Sequence, residues 1–144
     1  MRSTRSAVRL LVGLVAILML MGSAPALASS GGGTKPTWEL RDIDQQMCVT
    51  SDYGHPNTYY VAPVFGTWSR TIQTGIRKLP PGSSSMGGTT LPPGSNTGSV
   101  IVGFVHVSIA PAPVGVYTPE VWATDGVVTQ AVPVKLEILD DCYP

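Results

Sequence analysis

The 144 residues carry nine basic and nine acidic side chains and only two cysteines, but that charge balance does not hold along the chain. Arg2, Arg5 and Arg9 precede an apolar run at 10–21 and the small-residue site Ala26-Leu27-Ala28, the order of a secretory signal peptide cleaved after Ala28. The remaining 116 residues suffice for one domain with a real core but not for two, and their six basic and nine acidic groups give a net charge of −3, which argues against a nucleic-acid partner.

The apolar run is about a dozen residues long, short of the ~20 that span a bilayer, and no second run of that length follows. The expectation is a secreted, soluble monomer, extracellular or cell-wall associated, with no membrane contact after cleavage. Its parts are a signal peptide at 1–28, a Gly/Ser-rich flexible leader at 29–35 and a single domain at 36–144. In an oxidising compartment Cys48 and Cys142 are expected to form a disulfide. The alternatives are a metal site or a reactive thiol. Neither cysteine has a neighbouring His at zinc-ligand spacing, and neither has a basic neighbour in sequence that would activate a thiol.

Residues 37–43 place Trp38, Leu40 and Ile43 against charged neighbours at a period close to two, a half-buried strand. A short strand at 47–50 carries Cys48, and 51–56 (SDYGHP) has turn composition. Residues 57–65 are aromatic and β-branched, and Pro63, lacking a ladder donor, marks an edge strand or one that switches sheets. Between 67 and 79, Ile72, Thr74 and Ile76 share a face opposite Arg77. The repeat Leu79-Pro80-Pro81-Gly82-Ser83 and Leu91-Pro92-Pro93-Gly94-Ser95 reads as two turns around a short strand at 84–90.

The longest strand is expected at 99–109, with Ile101, Val105, Val107 and Ile109 on one face and Val100, Val102, Phe104 and His106 on the other. Both faces begin apolar, so the second is expected to be covered partly by a loop or a partner. A closing hairpin follows. Tyr117, Val121 and Ala123 share one face, Thr118, Glu120 and Trp122 the other, and Asp125-Gly126 signals a two-residue type I′ turn. The last strand turns Val132, Val134, Leu136 and Ile138 inward, and the nitrogen of Pro133 should point away from a ladder partner or mark a bulge.

The series Pro113-Val114-Gly115-Val116-Tyr117, Val121-Trp122-Ala123-Thr124-Asp125-Gly126 and Val132-Pro133-Val134-Lys135-Leu136 resembles the last two strands of bacterial immunoglobulin-like domains. The whole chain is similar to small uncharacterised secreted proteins of high-GC Gram-positive bacteria. The resemblance implies an all-β, immunoglobulin-like antiparallel sandwich of about seven strands, with Tyr117 at a tyrosine corner. It implies no catalytic residues. In one respect the chain departs from antibody-type domains, because its cysteines flank the domain instead of bridging two core strands.

Chemistry is sparse in this pattern. His55 lies in a turn and His106 in a strand beside Phe104 and Ser108, and no nucleophile elbow or Cys-His arrangement accompanies them, so no enzyme activity is expected. Asp42 with Asp44, and Asp140 with Asp141, are the only carboxylate groupings that suggest calcium. They lack a dense Asp/Asn/Gly ligand loop, so neither metal nor cofactor is assigned. Recognition is the remaining role. If Tyr117 points inward, alternation turns Trp122 outward beside Glu120 and Thr118, and a large outward aromatic suits a sugar or a protein partner unless a loop folds over it. The expected function is therefore a non-catalytic binding or structural domain of the cell envelope or medium, with an unknown protein or polysaccharide partner. The alternatives are a carbohydrate-binding module and a protease inhibitor; no loop cysteine braces an inhibitory loop.

Overall fold

The computed structural model describes residues 35–143; the signal peptide and residues 29–34 of the expected leader lie outside the described residues. Eleven strands account for the regular structure, with no helix among the described residues. They are β1 (Trp38–Leu40), β2 (Gln46–Thr50), β3 (His55–Gly66), β4 (Ile72–Arg77), β5 (Ser84–Gly88), β6 (Thr90–Leu91), β7 (Val100–Ile109), β8 (Gly115–Tyr117), β9 (Glu120–Thr124), β10 (Thr129–Pro133) and β11 (Lys135–Leu139). One sheet has the order β1-β3-β7-β5, a second β10-β9-β4-β6 and a third β2-β11-β8. All pairs are antiparallel except β2 with β11.

The count exceeds the expected seven because long runs are cut at bends. The closing hairpin shows how. Leu136 pairs Tyr117, Pro133 pairs Glu120 and Thr129 pairs Thr124, one unbroken register, and across the gap the Val134 N–H donates to the Pro119 carbonyl at 2.9 Å. Proline at 119 and 133 removes ladder donors, and the strands bend there from the second sheet into the third. As expected, the nitrogen of Pro133 faces away from β9. The Val134 N–H points toward that strand, whereas the Lys135 N–H, on Pro133's own side, reaches the Gln45 carbonyl at 2.9 Å.

The inward rows of these strands form one core. Tyr60, Ala62, Val64, Val105, Val107 and Ile109 come from the first sheet, Ile72, Ile76, Val121, Ala123 and Val132 from the second, and Val49, Leu136 and Ile138 from the third. Each fully buried Val, Leu or Ile contributes ~1.5–3 kcal/mol. Tyr117 is only half-buried at the core's margin, and its hydroxyl donates to the Pro113 carbonyl at 3.0 Å, the tyrosine-corner contact. The Tyr60 hydroxyl is buried with no partner among the described residues, and burial pushes its pKa up to about 12.

Four sequence expectations are corrected. Ile43 is 49% exposed because the chain leaves the ladder after Leu40: the Asp42 carboxylate takes the Asp44 N–H at 2.8 Å, and Asp44 adopts φ 53°. His55 and Pro56 begin β3 instead of completing a turn. Pro63 is buried in β3, which runs between β1 and β7 instead of at an edge. Its carbonyl receives the Arg41 N–H at 3.0 Å, so its donor-less nitrogen faces the side where three-residue β1 has just ended. The hairpin loop is four residues, Asp125 to Val128, because Thr124 pairs Thr129. Gly126 has φ 85° while Asp125 is not left-handed, which rules out a type I′ turn. Asp125 Oδ1 instead accepts the Val127 and Val128 N–H groups at 2.9 and 2.8 Å.

The two Pro-Pro-Gly-Ser segments do make matching turns. Ser83 donates to the Pro80 carbonyl and Ser95 to the Pro92 carbonyl, with Gly82 at φ 78° and Gly94 at φ 74°, as a type II turn requires. Cys48 and Cys142 form a disulfide with Cα atoms 5.8 Å apart, tying β2 to the end of the domain.

Candidate functional site

Two sheet faces carry aromatic side chains that the core does not use. On the outer face of the second sheet the ladders set side chains in rows. Gly75, Trp122 and Ala131 form the middle row, with Gln73, Thr124 and Thr129 on one side and Arg77, Glu120 and Pro133 on the other. Trp122 is half-buried, and what it covers is its own neighbour. A Cβ at Gly75 would sit 2.3 Å from Cζ2, 2.6 Å from Cε2 and 3.0 Å from Nε1 of the indole, so the indole takes the space that a side chain at 75 would fill. Ala131 on its other flank is exposed.

The three tryptophans differ in what their N–H groups meet. Trp38 Nε1 donates to Asp125 Oδ2 at 3.0 Å, and Trp68 Nε1 to the Leu91 and Pro92 carbonyls at 3.2 and 3.0 Å. Trp122 Nε1 makes no such bond among the described residues, and it is not a buried orphan. It is a donor with no protein partner among the described residues, on the indole edge that lies over Gly75.

Glu120 is held by two cations. Its Oε2 accepts from Arg77 Nε at 2.7 Å and its Oε1 from Lys78. The Lys78 and Arg77 hydrogen bonds hold the carboxyl below its ordinary pKa. Lys78 adopts φ 60°, an uncommon conformation for a side-chain-bearing residue, as the chain leaves β4. Of the three residues singled out from sequence, Glu120 and Trp122 thus share one face of β9. Thr118 lies at the break between β8 and β9, exposed beside a shallow cleft that Asp42, Gln45 and Lys135 also line.

The second face includes the row Val100, Val102, Phe104 and His106, expected from sequence to be covered partly by a loop or a partner, and also Tyr59, which was not singled out from sequence. On the outer side of the first sheet, Tyr59 pairs His106 and Val61 pairs Phe104. Tyr59 is 51%, Phe104 45% and Val102 45% exposed. The Tyr59 and Phe104 rings meet edge to face with centroids 5.2 Å apart, and His106 stands 6.1 Å from Tyr59. Met86 is exposed at the β5 bulge beside Gly87, which pairs His106. The apolar outer row of β7 was the available signal. What it lacked was the β3–β7 register, which sets Tyr59 beside that row.

His55 pairs Ile109 at the far end of β3, and both histidines are exposed. Asp140 accepts a hydrogen bond from the Ser51 hydroxyl at 3.1 Å, and Asp141 from the Tyr143 N–H at 2.8 Å. No group of three or more His, Cys, Asp or Glu side chains arranged to hold a metal occurs among the described residues.

The fold is an all-β sandwich domain with aromatic side chains on two of its outer sheet faces. The chain belongs to the family described as "Family of unknown function (DUF5980)", which matches residues 39–140. No curated protein sequence matches it. Among solved structures it is similar to the "ASH / PapD-like domain of human CEP192 (PapD-like domain 7)", at 11% identity and a TM-score of 0.37 over 75% of this chain and 91% of that one.

Proposed function

We propose that this protein is a non-catalytic, exported binding domain of immunoglobulin-like type, working in the cell envelope or medium, which docks a protein partner through the outer face of its first sheet. The observation that carries the reading is the adjacent group Tyr59, Phe104 and Val102, each about half exposed on a face with a full core beneath it. Aromatic and Met side chains are enriched at the centres of protein interfaces, and Lys and acidic residues are depleted there. Around Tyr59, Val102 and Phe104, the facing ladder positions hold His106, Pro63 and Val61, with no acidic or lysine side chain among them. The edge-to-face rings make a ridged surface, better suited to interlocking with a partner's side chains than to flat stacking. The disulfide fits an oxidising compartment.

The test places a photo-crosslinking residue at 104 in the exported protein, with the same residue at exposed Val127 as a control. A discrete protein adduct at 104 is expected, lost when Tyr59→Ser is added and missing from the control. Equal labelling at both positions, or an adduct indifferent to Tyr59→Ser, would refute the docking face.

A further inference from the structure

We propose that the outer face of the second sheet holds a saccharide-binding subsite, centred on Trp122, for a neutral pyranose unit of a polysaccharide. A pyranose has aliphatic C–H groups on its faces and hydroxyl groups around its rim. It therefore needs a flat apolar platform bordered by groups that donate and groups that accept. The middle row supplies the platform. Gly75 leaves room for the indole over the sheet, and the small exposed Ala131 leaves the other flank open. An aromatic ring presented this way keeps a face for C–H groups and an edge N–H for a hydroxyl.

The adjoining rows supply the border, each about 7 Å away, two residues along a strand. On one side Gln73 and Thr90 are already hydrogen-bonded to each other at 3.0 Å, and so are Thr129 and Thr124 at 2.9 Å. The Gln73 amide keeps its N–H donors and the Thr90 and Thr129 hydroxyls keep acceptor lone pairs, whereas the Thr124 hydroxyl is fully used, donating to the Val128 carbonyl and accepting from Thr129 and the Gly126 N–H. On the other side the Glu120 carboxylate, gripped by Arg77 and Lys78, is an ionised acceptor whose position the two cations fix. The mixed signs suit a neutral polyol better than an anionic or cationic one.

The contrast among the tryptophans is the independent observation. Trp38 and Trp68 spend their N–H groups on partners inside the domain, whereas the Trp122 N–H has no partner among the described residues and is not fully buried. An indole that served only to cover Gly75 would have no need of the ordered polar rows on either side.

The three indoles also make the inference testable without knowing the natural ligand. The exported, disulfide-bonded protein, labelled with ¹⁵N, is titrated with β-1,4-linked glucose, N-acetylglucosamine and xylose hexaoses and with α-1,4-linked glucose hexaose. One of the four is expected to shift the Trp122 indole correlation saturably while those of Trp38 and Trp68 stay in place. Trp122→Ala should weaken that binding about tenfold or more, equivalent to ~1.4 kcal/mol, and Gln73→Ala should weaken it without unfolding the protein. Tyr59→Ser should leave it intact, which separates this subsite from the protein-docking face. The proposal is overturned if no hexaose shifts the Trp122 signal saturably at millimolar concentration, if another indole responds instead, or if Trp122→Ala binds as the wild type does.

Discussion

Asp125 gathers three N–H donors from two segments on one carboxylate. Its Oδ1 closes the hairpin loop on Val127 and Val128, and its Oδ2 accepts the Trp38 indole from β1, 87 positions earlier in the chain. The Val128 N–H, the Trp38 indole and the Val127 N–H, in that order, hold its pKa below the ordinary value. A carboxylate with a depressed folded-state pKa contributes stability that is complete above its unfolded pKa, ~3.9, and is lost as pH falls through the folded value. Asp125→Ala is therefore expected to lower stability at neutral pH by about 1–2 kcal/mol through the lost charge-assisted bonds. The deficit relative to wild type should shrink as pH drops below ~4. Urea unfolding of both proteins between pH 7 and 2.5 measures it, and a deficit constant across that range would contradict the assignment.

At the level of elements, two glutamines finish ladders that the backbone leaves short. Gln130 on β10 takes the Leu40 N–H at Oε1 and gives its Nε2 hydrogen to the Trp38 carbonyl, pairing the free side of β1 as a neighbouring strand would. Gln45 does the same for Val61 of β3, at 2.8 and 2.9 Å, just past the end of β1. Such amides block an open edge against another chain and join the first sheet to its neighbours. Gln130→Leu would leave a part-buried donor and acceptor unpaired, at a cost of about 1–3 kcal/mol. It should also raise the amide exchange rate of Leu40 well above that of Val64, its ladder partner on the inner strand. Unchanged exchange at Leu40 would show that the side chain is dispensable. Neither glutamine was legible from sequence, because an exposed-looking polar residue beside a strand shows no sign that its amide will imitate a backbone. Pro63 was misread for a related reason: the rule that proline avoids inner strands holds only while a partner strand continues alongside it.

Over the whole molecule, the parallel pairing of β2 with β11 brings the two ends of the domain together, and the Cys48–Cys142 disulfide closes a 94-residue loop across them. Loop-closure entropy assigns such a link about 4–5 kcal/mol in the chain-entropy model. Cys48→Ser/Cys142→Ser should therefore unfold at a markedly lower denaturant midpoint with an inward-facing core unchanged in sequence. A midpoint equal to that of the oxidised protein would show that β2–β11 pairing alone secures the ends. The sequence by itself determined which rows face inward: Ile72, Thr74 and Ile76, Val105 to Ile109, and Val132 to Ile138 alternate at the period of a strand, and burial follows from that period alone. It also determined the paired proline turns and the outward direction of Trp122, since proline fixes φ and alternation fixes sides. Only the tertiary structure decided that Gly75 lies opposite Trp122, that Tyr59 stands beside Phe104 and that Asp125 meets Trp38. These are contacts of register between strands distant in the chain, and no local periodicity encodes which strand will lie beside which.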